Sequence, residues 1–316
     1  MPVFKIHHIT KYVYDRPIKD SINEIKIFPY KDVSQEILQQ DLTITGNPEM
    51  QVYTDYWGNK VGVFSLVQPH RELIIDSRLV VRTTRSSLLQ VNYHSTWAEL
   101  EEEKQADLRL QELSMPSRHE ESASQAATLK DTQRSVAQFV ADISEFVFKN
   151  FKYSKGITNV ETTVEEIWTL KKGVCQDFAL VMLDMLRSAG VPAQYISGYI
   201  CPNKSGMRGE GATHAWVEAW IPGYGWAGID PTNNVWITNT HVKLTSGAHF
   251  EDCTPVKGVF KGPAKQDLYV LVSVGYEDGH VFEDTNQVRL SKQEDAKEKM
   301  ENLADIFLTQ HHQQQQ

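Results

Sequence analysis

The chain has 316 residues, enough to bury a sizeable core and to divide into two domains. Apolar residues make up 41% of it and charged residues 23%, the composition of an ordinary soluble globular protein. The net charge of −9 argues against nucleic acid and against an anionic membrane as partners. The N-terminus lacks the apolar stretch of a signal peptide and no segment is long and apolar enough to span a membrane, so we expect a cytoplasmic protein.

Residues 1–90 are predicted to form a β domain. Its first strand alternates apolar and polar positions, residues 73–81 form a further strand, and residues 56–60 have the composition of a turn between strands. The adjacent His7 and His8 are a conceivable metal pair. Adjacent residues of a strand point to opposite faces, however, so we favour two unrelated strand histidines.

Residues 91–130 are predicted to be a helical and polar connector. Residues 97–113 are acidic and helical in pattern, and residues 114–128, rich in Ser, Glu and Ala, are expected to be mobile. A firm helix is predicted from Asp131 or Thr132, because apolar residues recur there at spacings of three and four.

Cys175 stands at the first turn of a second predicted helix. Thr163 and Glu166 have the spacing of a capping box that opens a short helix, and Gly173 closes it. A thiol at a helix N-terminus faces unpaired N–H groups and the positive end of the helix dipole, which favours the thiolate. The alternative for a lone cysteine is a small buried residue in a core helix.

His214 and Asp230 follow on two consecutive predicted strands. Cys, His and Asp fit a nucleophile, its base and the group that orients the base. Taken singly, a strand histidine such as His214 is more often a satisfied core histidine, and Asp230 before a proline is typical of a turn. If residues 221 and 226 paired directly, Asp230 would lie on the face away from His214, so joint action requires a one-residue offset near Gly225.

Several blocks in this order resemble the bacterial transglutaminase-like superfamily of papain-type cysteine enzymes. They are residues 173–179, 186–193, 197–199, 214–216 and 230–232, within a resemblance that runs from residue 151 to residue 262. Residues 8–10, 55–59 and 70–73 resemble the N-terminal β domain that often precedes such cores. Where relatives often carry an Arg-Asp-Tyr-like block, this chain has residues 247–250, so no role of that block is carried over.

The resemblance implies an α+β fold, with a papain-like/transglutaminase core behind an N-terminal β-sandwich domain. We assign residues 131–287 to the core and residues 288–316 to a C-terminal helix and disordered tail. Residues 268–274 are expected to form a strand buried on nearly both faces. Ser291 and Glu294 form a second predicted capping box. The tail histidines His311 and His312 are expected to be solvated and not to bind metal.

The resemblance also implies cysteine-dependent hydrolysis of a peptide or isopeptide-like amide through a thioester acyl-enzyme. Cys175 would be the nucleophile, His214 the base and acid, and Asp230 the orienting group, with a peptide or protein amide as substrate. No metal or organic cofactor is expected, and the oligomeric state is not indicated. The alternatives are a protein-glutamine amine transferase and a catalytically silent interaction module.

Several residues around the predicted site are candidates for supporting roles. The Cys175 backbone N–H is one candidate oxyanion donor, and the second comes from Tyr153, Trp168 or Gln176. Trp216 shares a strand face with His214, so it either walls the site or fills the core. The glycine-rich residues 202–212 form either a plain connector or a flap over the site.

Overall fold

The computed structural model describes residues 1–84, 91–116, 119–159, 161–201, 207–209, 212–277 and 286–291. The helices are α1 (Trp97–Ala106), α2 (Leu108–Leu113), α3 (Glu120–Leu129), α4 (Val136–Asn150), α5 (Val164–Leu170) and α6 (Cys175–Ser188). The strands are β1 (Val3–Ile25), β2 (Gln35–Ile44), β3 (Met50–Thr54), β4 (Lys60–Leu66), β5 (His70–Thr83), β6 (Lys152–Tyr153), β7 (Lys172–Gly173), β8 (Ala193–Ile200), β9 (Ala212–Ile221), β10 (Gly225–Asp230), β11 (Val235–Trp236), β12 (His241–Gly247), β13 (Val256–Lys261), β14 (Gln266–Tyr276) and β15 (Asn286–Ser291).

The N-terminal sheet has eight strands and is organised around β1. The first half of this strand pairs with β5 and β14, and its second half pairs with β4 and β13. Because both halves share one long strand, the predicted β-sandwich is a single curled sheet. His7 contacts Asp76 and His8 contacts Tyr199, so the two histidines have separate partners.

The C-terminal strands return to this N-terminal sheet. β13 and β14 pair with β1, and β15 pairs with β14, although the sequence pattern grouped residues up to 287 with the core. Alternate residues of β14 are buried, so it is covered mainly on one face and not on nearly both. Residues 288–291, assigned to a helical tail, belong to β15. The predicted C-terminal helix, with Glu294, and the tail histidines lie outside the described residues.

The predicted mobile connector is wrong for its second half. Residues 120–129 form α3, which packs on α6 through the buried small residues Ser122 and Ala126. Small side chains such as these permit close packing of two helices, but they do not give the sequence the strong apolar periodicity that predicts a buried helix face. The acidic segment before it is two helices, since Asp107 caps α2 and interrupts the first. The next helix, α4, begins at Val136 behind the cap Ser135, later than predicted.

The core pairs a five-stranded sheet, in the order β11-β10-β9-β8-β12, with a group of helices. Ala215, Val217 and Ala219 on one face of β9 belong to the same apolar cluster as Phe178 and other residues of α6. The opposite face of β9 carries His214 and Trp216, as the strand periodicity predicts. None of the helices in the described part of the chain is long and apolar enough to cross a membrane.

Strand β8 joins the two halves of the molecule. Tyr195 belongs to the cluster formed with the helices, whereas Tyr199 belongs to the cluster of the N-terminal sheet. The Tyr199 hydroxyl also lies 2.9 Å from Nδ1 of His8 on β1. The N-terminal sheet therefore supports the strands that carry the candidate site.

Candidate active site

Cys175 is the first residue of α6, and a carboxylate two positions later holds the start of that helix. Oδ2 of Asp177 accepts hydrogen bonds from the Val174 N–H and the Thr158 hydroxyl, both at 2.6 Å. Gly173 leaves room for this carboxylate, since a Cβ at that position would lie 2.6 Å from Cβ of Asp177. Burial raises the pKa of Asp177 to about 6, against the lowering effect of its hydrogen bonds.

The β9–β10 hairpin has the offset that joint action of His214 and Asp230 requires. Gly225 pairs with Ile221, and Ile229 pairs with Val217, so the connecting loop has an odd number of residues. Gly225 has φ of 92°, a conformation that favours glycine. Continuing the register places Asp230 on the face of the sheet that carries His214, and the predicted offset is confirmed.

The Asp230 carboxylate is surrounded by donors. Its Oδ2 accepts from His214 Nε2 at 2.8 Å and from the Asn233 side-chain N–H at 2.7 Å. Its Oδ1 accepts from the Thr232 backbone N–H at 2.8 Å. A second imidazole, His241, has its Nε2 3.5 Å from Oδ2. Since the carboxylate is buried, these donors stabilise its charged form.

The surroundings favour an imidazolium at His214. Burial alone lowers the pKa of His214, but the charge of Asp230 and interactions with Cys175 outweigh burial and raise it to about 10. The same pairing lowers the pKa of Asp230 although burial opposes this. Nε2 is engaged by Asp230, which leaves Nδ1 as the nitrogen for Cys175.

The three side chains are secluded from solvent. The exposed fractions of Cys175, His214 and Asp230 are 0%, 1% and 0%. Trp216 stacks beside His214, with ring centroids 6.4 Å apart and an angle of 28° between the planes. Gly198 on the neighbouring strand makes space for the indole, because a Cβ there would lie 2.6 Å from it. The arrangement suits nucleophilic attack by a thiolate in surroundings that exclude most water.

Comparisons with known proteins identify the family. A model of the bacterial transglutaminase-like N-terminal region matches residues 4–82. A model of the transglutaminase-like superfamily core matches residues 123–231, a span that contains Cys175, His214 and Asp230. The chain belongs to the transglutaminase-like superfamily.

Individual relatives agree with this assignment. An uncharacterized protein of Mycobacterium leprae is 32% identical over 276 residues, which cover 85% of this chain and 97% of that protein. A protein-glutamine gamma-glutamyltransferase of Pseudomonas aeruginosa is 34% identical over 83 residues, 25% of this chain and 12% of that protein. A crystal structure from Cytophaga hutchinsonii, described as a candidate cysteine protease, superposes with a TM-score of 0.72 at 21% identity and covers 92% of this chain and 98% of its own.

These findings confirm the predicted fold class, with its transglutaminase-like, papain-like core and its N-terminal β region. They support an enzyme of this superfamily.

The other predicted site residues, Tyr153, Gln176 and Trp168, have different surroundings. Tyr153 lies on β6 beside Gly173, and its ring contacts Phe178 of α6. Gln176 is buried on α6 next to the cysteine. Trp168 has the aromatic neighbours His119, Phe146 and Phe151, which lie among the helices. Their roles as oxyanion donors stay predictions.

Two contacts of Asp230 were not predicted. Asn233 is three residues downstream, so the turn after β10 was a usable signal for it. His241 is on β12, separated from β9 by β8, and only the folded sheet brings it to Asp230. His214, Asp230 and His241 are also a possible metal-ligand set among the described residues, with ligand atoms within 4.8 Å of one another. A metal between His214 and Asp230 would replace their 2.8 Å hydrogen bond.

Proposed function

We propose that the protein hydrolyses a peptide or isopeptide-like amide of a peptide or protein substrate through a thioester on Cys175. The observation that carries this proposal is the buried hydrogen-bonded pair of His214 and Asp230 beside Cys175. An imidazolium held by a carboxylate can stabilise a thiolate and can then act as an acid.

In the first half-reaction the Cys175 sulfur attacks the carbonyl carbon of the amide, and a C–S bond forms. The Cys175 backbone N–H, at the start of α6, would donate to the developing oxyanion. His214 gives its Nδ1 proton to the departing amine as the C–N bond breaks. Asp230 keeps the Nε2–H bond throughout, which fixes the orientation of the ring.

In the second half-reaction an acceptor releases the acyl group. Neutral His214 takes a proton from water, the resulting hydroxide oxygen bonds to the carbonyl carbon, and the C–S bond breaks to return the Cys175 thiolate and the His214 imidazolium. The products are a carboxylic acid and an amine, so the overall reaction is hydrolysis.

Protein-glutamine amine transfer is the second candidate function. The seclusion of Cys175, His214 and Asp230 favours it, since exclusion of water gives an amine acceptor its advantage. The name of the Pseudomonas aeruginosa relative, a protein-glutamine gamma-glutamyltransferase, also favours it. Hydrolysis stays our first choice because an amine must be bound and positioned to compete with water, whereas water needs no binding pocket of its own.

The test is a panel of amide and glutamine-containing peptides, each incubated with and without a labelled primary amine at millimolar concentration. Cys175→Ala is the blank, and Cys201→Ala is the matched control. We expect turnover to free acid that requires Cys175 and is little changed in Cys201→Ala. Predominant formation of the labelled amide would establish amine transfer instead. Turnover that persists in Cys175→Ala would exclude both cysteine mechanisms.

A further inference from the structure

We propose that His241 is a positioning residue, which holds the Asp230 carboxylate in the orientation that His214 needs. The inference rests on the proposed cysteine chemistry and adds a fourth side chain to it. His241 opens β12, two strands away from β9 in the sheet.

Each ring nitrogen of His241 has a polar neighbour. Nδ1 lies 3.1 Å from the Thr240 hydroxyl, and Nε2 lies 3.5 Å from Oδ2 of Asp230. The side chain is only 1% exposed. If the Thr240 hydroxyl donates to Nδ1, the ring proton is on Nε2 and points its donor at the carboxylate.

The contact between His241 and Asp230 joins two separate strands, unlike the contacts of Thr232 and Asn233 with Asp230. Thr232 and Asn233 belong to the turn that follows Asp230, so they move with it. His241 lies on β12, at one edge of the five-stranded sheet. Its contact with the Asp230 carboxylate therefore restrains that carboxylate from a separate strand.

A shared aromatic neighbour links the two histidines. Trp216 stacks beside His214 and meets His241 edge-on, with ring centroids 5.3 Å apart and an angle of 74°. The two imidazole centroids are 5.9 Å apart. Asp230 and His214 are both titratable groups that face His241, so the three side chains share one buried polar cluster.

The test is the rate at which iodoacetamide alkylates Cys175 between pH 5 and pH 9, in three variants and the wild type. His241→Leu keeps the bulk of the side chain and removes the donor. His241→Gln keeps an N–H donor. His249→Leu, at an exposed position beyond β12, is the matched control. We expect the alkylation rate of Cys175 at pH 6 to fall about tenfold in His241→Leu. A loss of this size is typical when a partner that orients a metal-ligating side chain is removed. His241→Gln should stay within about threefold and His249→Leu unchanged.

Thermal unfolding of each variant separates positioning from folding. A His241→Leu rate equal to or above wild type would overturn the inference, and so would equal losses in His241→Leu and His241→Gln. Both results leave the proposed function standing if wild-type Cys175 is reactive. A wild-type Cys175 that alkylates no faster at pH 6 than Cys201 would overturn the proposed function, and the inference with it.

Discussion

Replacing Asp230 with asparagine tests the electrostatics of the site most sharply. Both carboxylate oxygens accept hydrogen bonds, Oδ1 from Thr232 and Oδ2 from His214 and Asn233. An amide has one oxygen and one NH2 group. In either orientation of Asp230→Asn, the NH2 group faces a hydrogen-bond donor, either the Thr232 N–H or the donors of His214 and Asn233. The substitution also removes the negative charge.

The size of the effect follows from the charge balance at His214. Asp230 is the largest influence that raises the pKa of His214, which reaches about 10 from an ordinary value of 6.5. Without that charge, burial is opposed only by the interactions with Cys175, so the pKa of His214 falls and less of the imidazolium remains at pH 7. An ordinary thiol with a pKa of about 8.5 is only about 0.3% ionised at pH 6. We therefore expect alkylation of Cys175 at pH 6 to slow by about 10- to 100-fold.

The assay is iodoacetamide labelling at pH 6, followed by mass spectrometry of the cysteine peptides. Cys201 and Cys253 are internal references, because burial raises the pKa of Cys253 to about 12 and that of Cys201 well above its ordinary value. Asp184→Asn, the same change at a buried position of α6, is the matched control. If the Asp230→Asn protein labels as fast as wild type, the Asp230 charge does not control the reactivity of Cys175.

Three further changes have expected outcomes. Gly198→Ala should lower stability by about 1–3 kcal/mol and slow Cys175 alkylation, because the new methyl group clashes with the backbone carbonyl of Val242 on β12 and with the Trp216 ring; thermal unfolding and labelling measure the two effects. Asp177→Ala should cost about 1–3 kcal/mol in urea denaturation, since it removes the cap of α6, and an unchanged midpoint would contradict that role. The stability that His214 protonation contributes should be complete below pH 6.5 and be lost as pH rises toward about 10; His214→Gln should flatten this dependence of the unfolding free energy on pH.

Local patterns were sufficient to predict the elements that carry the site. The apolar spacing after Cys175 predicted α6, and the Thr163–Glu166 capping box opens α5 as expected. Strand alternation placed His214 and Trp216 on one face, and the need for Asp230 on that face predicted the offset of the hairpin. Each of these depends on residues close together in the chain, where helix and strand periods decide the geometry.

Long-range pairing was not predictable in the same way. The apolar pattern predicted a strand over residues 268–274 but carries no information on its partner, so the return of β14 to β1 was missed. His241 reaches Asp230 only because β8 lies between β9 and β12. The helix α3 was missed because its buried positions are Ser122 and Ala126, and neither gives a strong apolar signal.

The central claim is that a thioester forms on Cys175, and acid-quenched mass spectrometry tests it directly. Wild-type protein is mixed with a cleaved amide substrate, quenched within the first turnovers and digested. We expect an acyl group on the Cys175 peptide that hydroxylamine removes and that is absent from the Cys201 and Cys253 peptides. Turnover without any hydroxylamine-sensitive adduct on Cys175, and unchanged in Cys175→Ala, would contradict it.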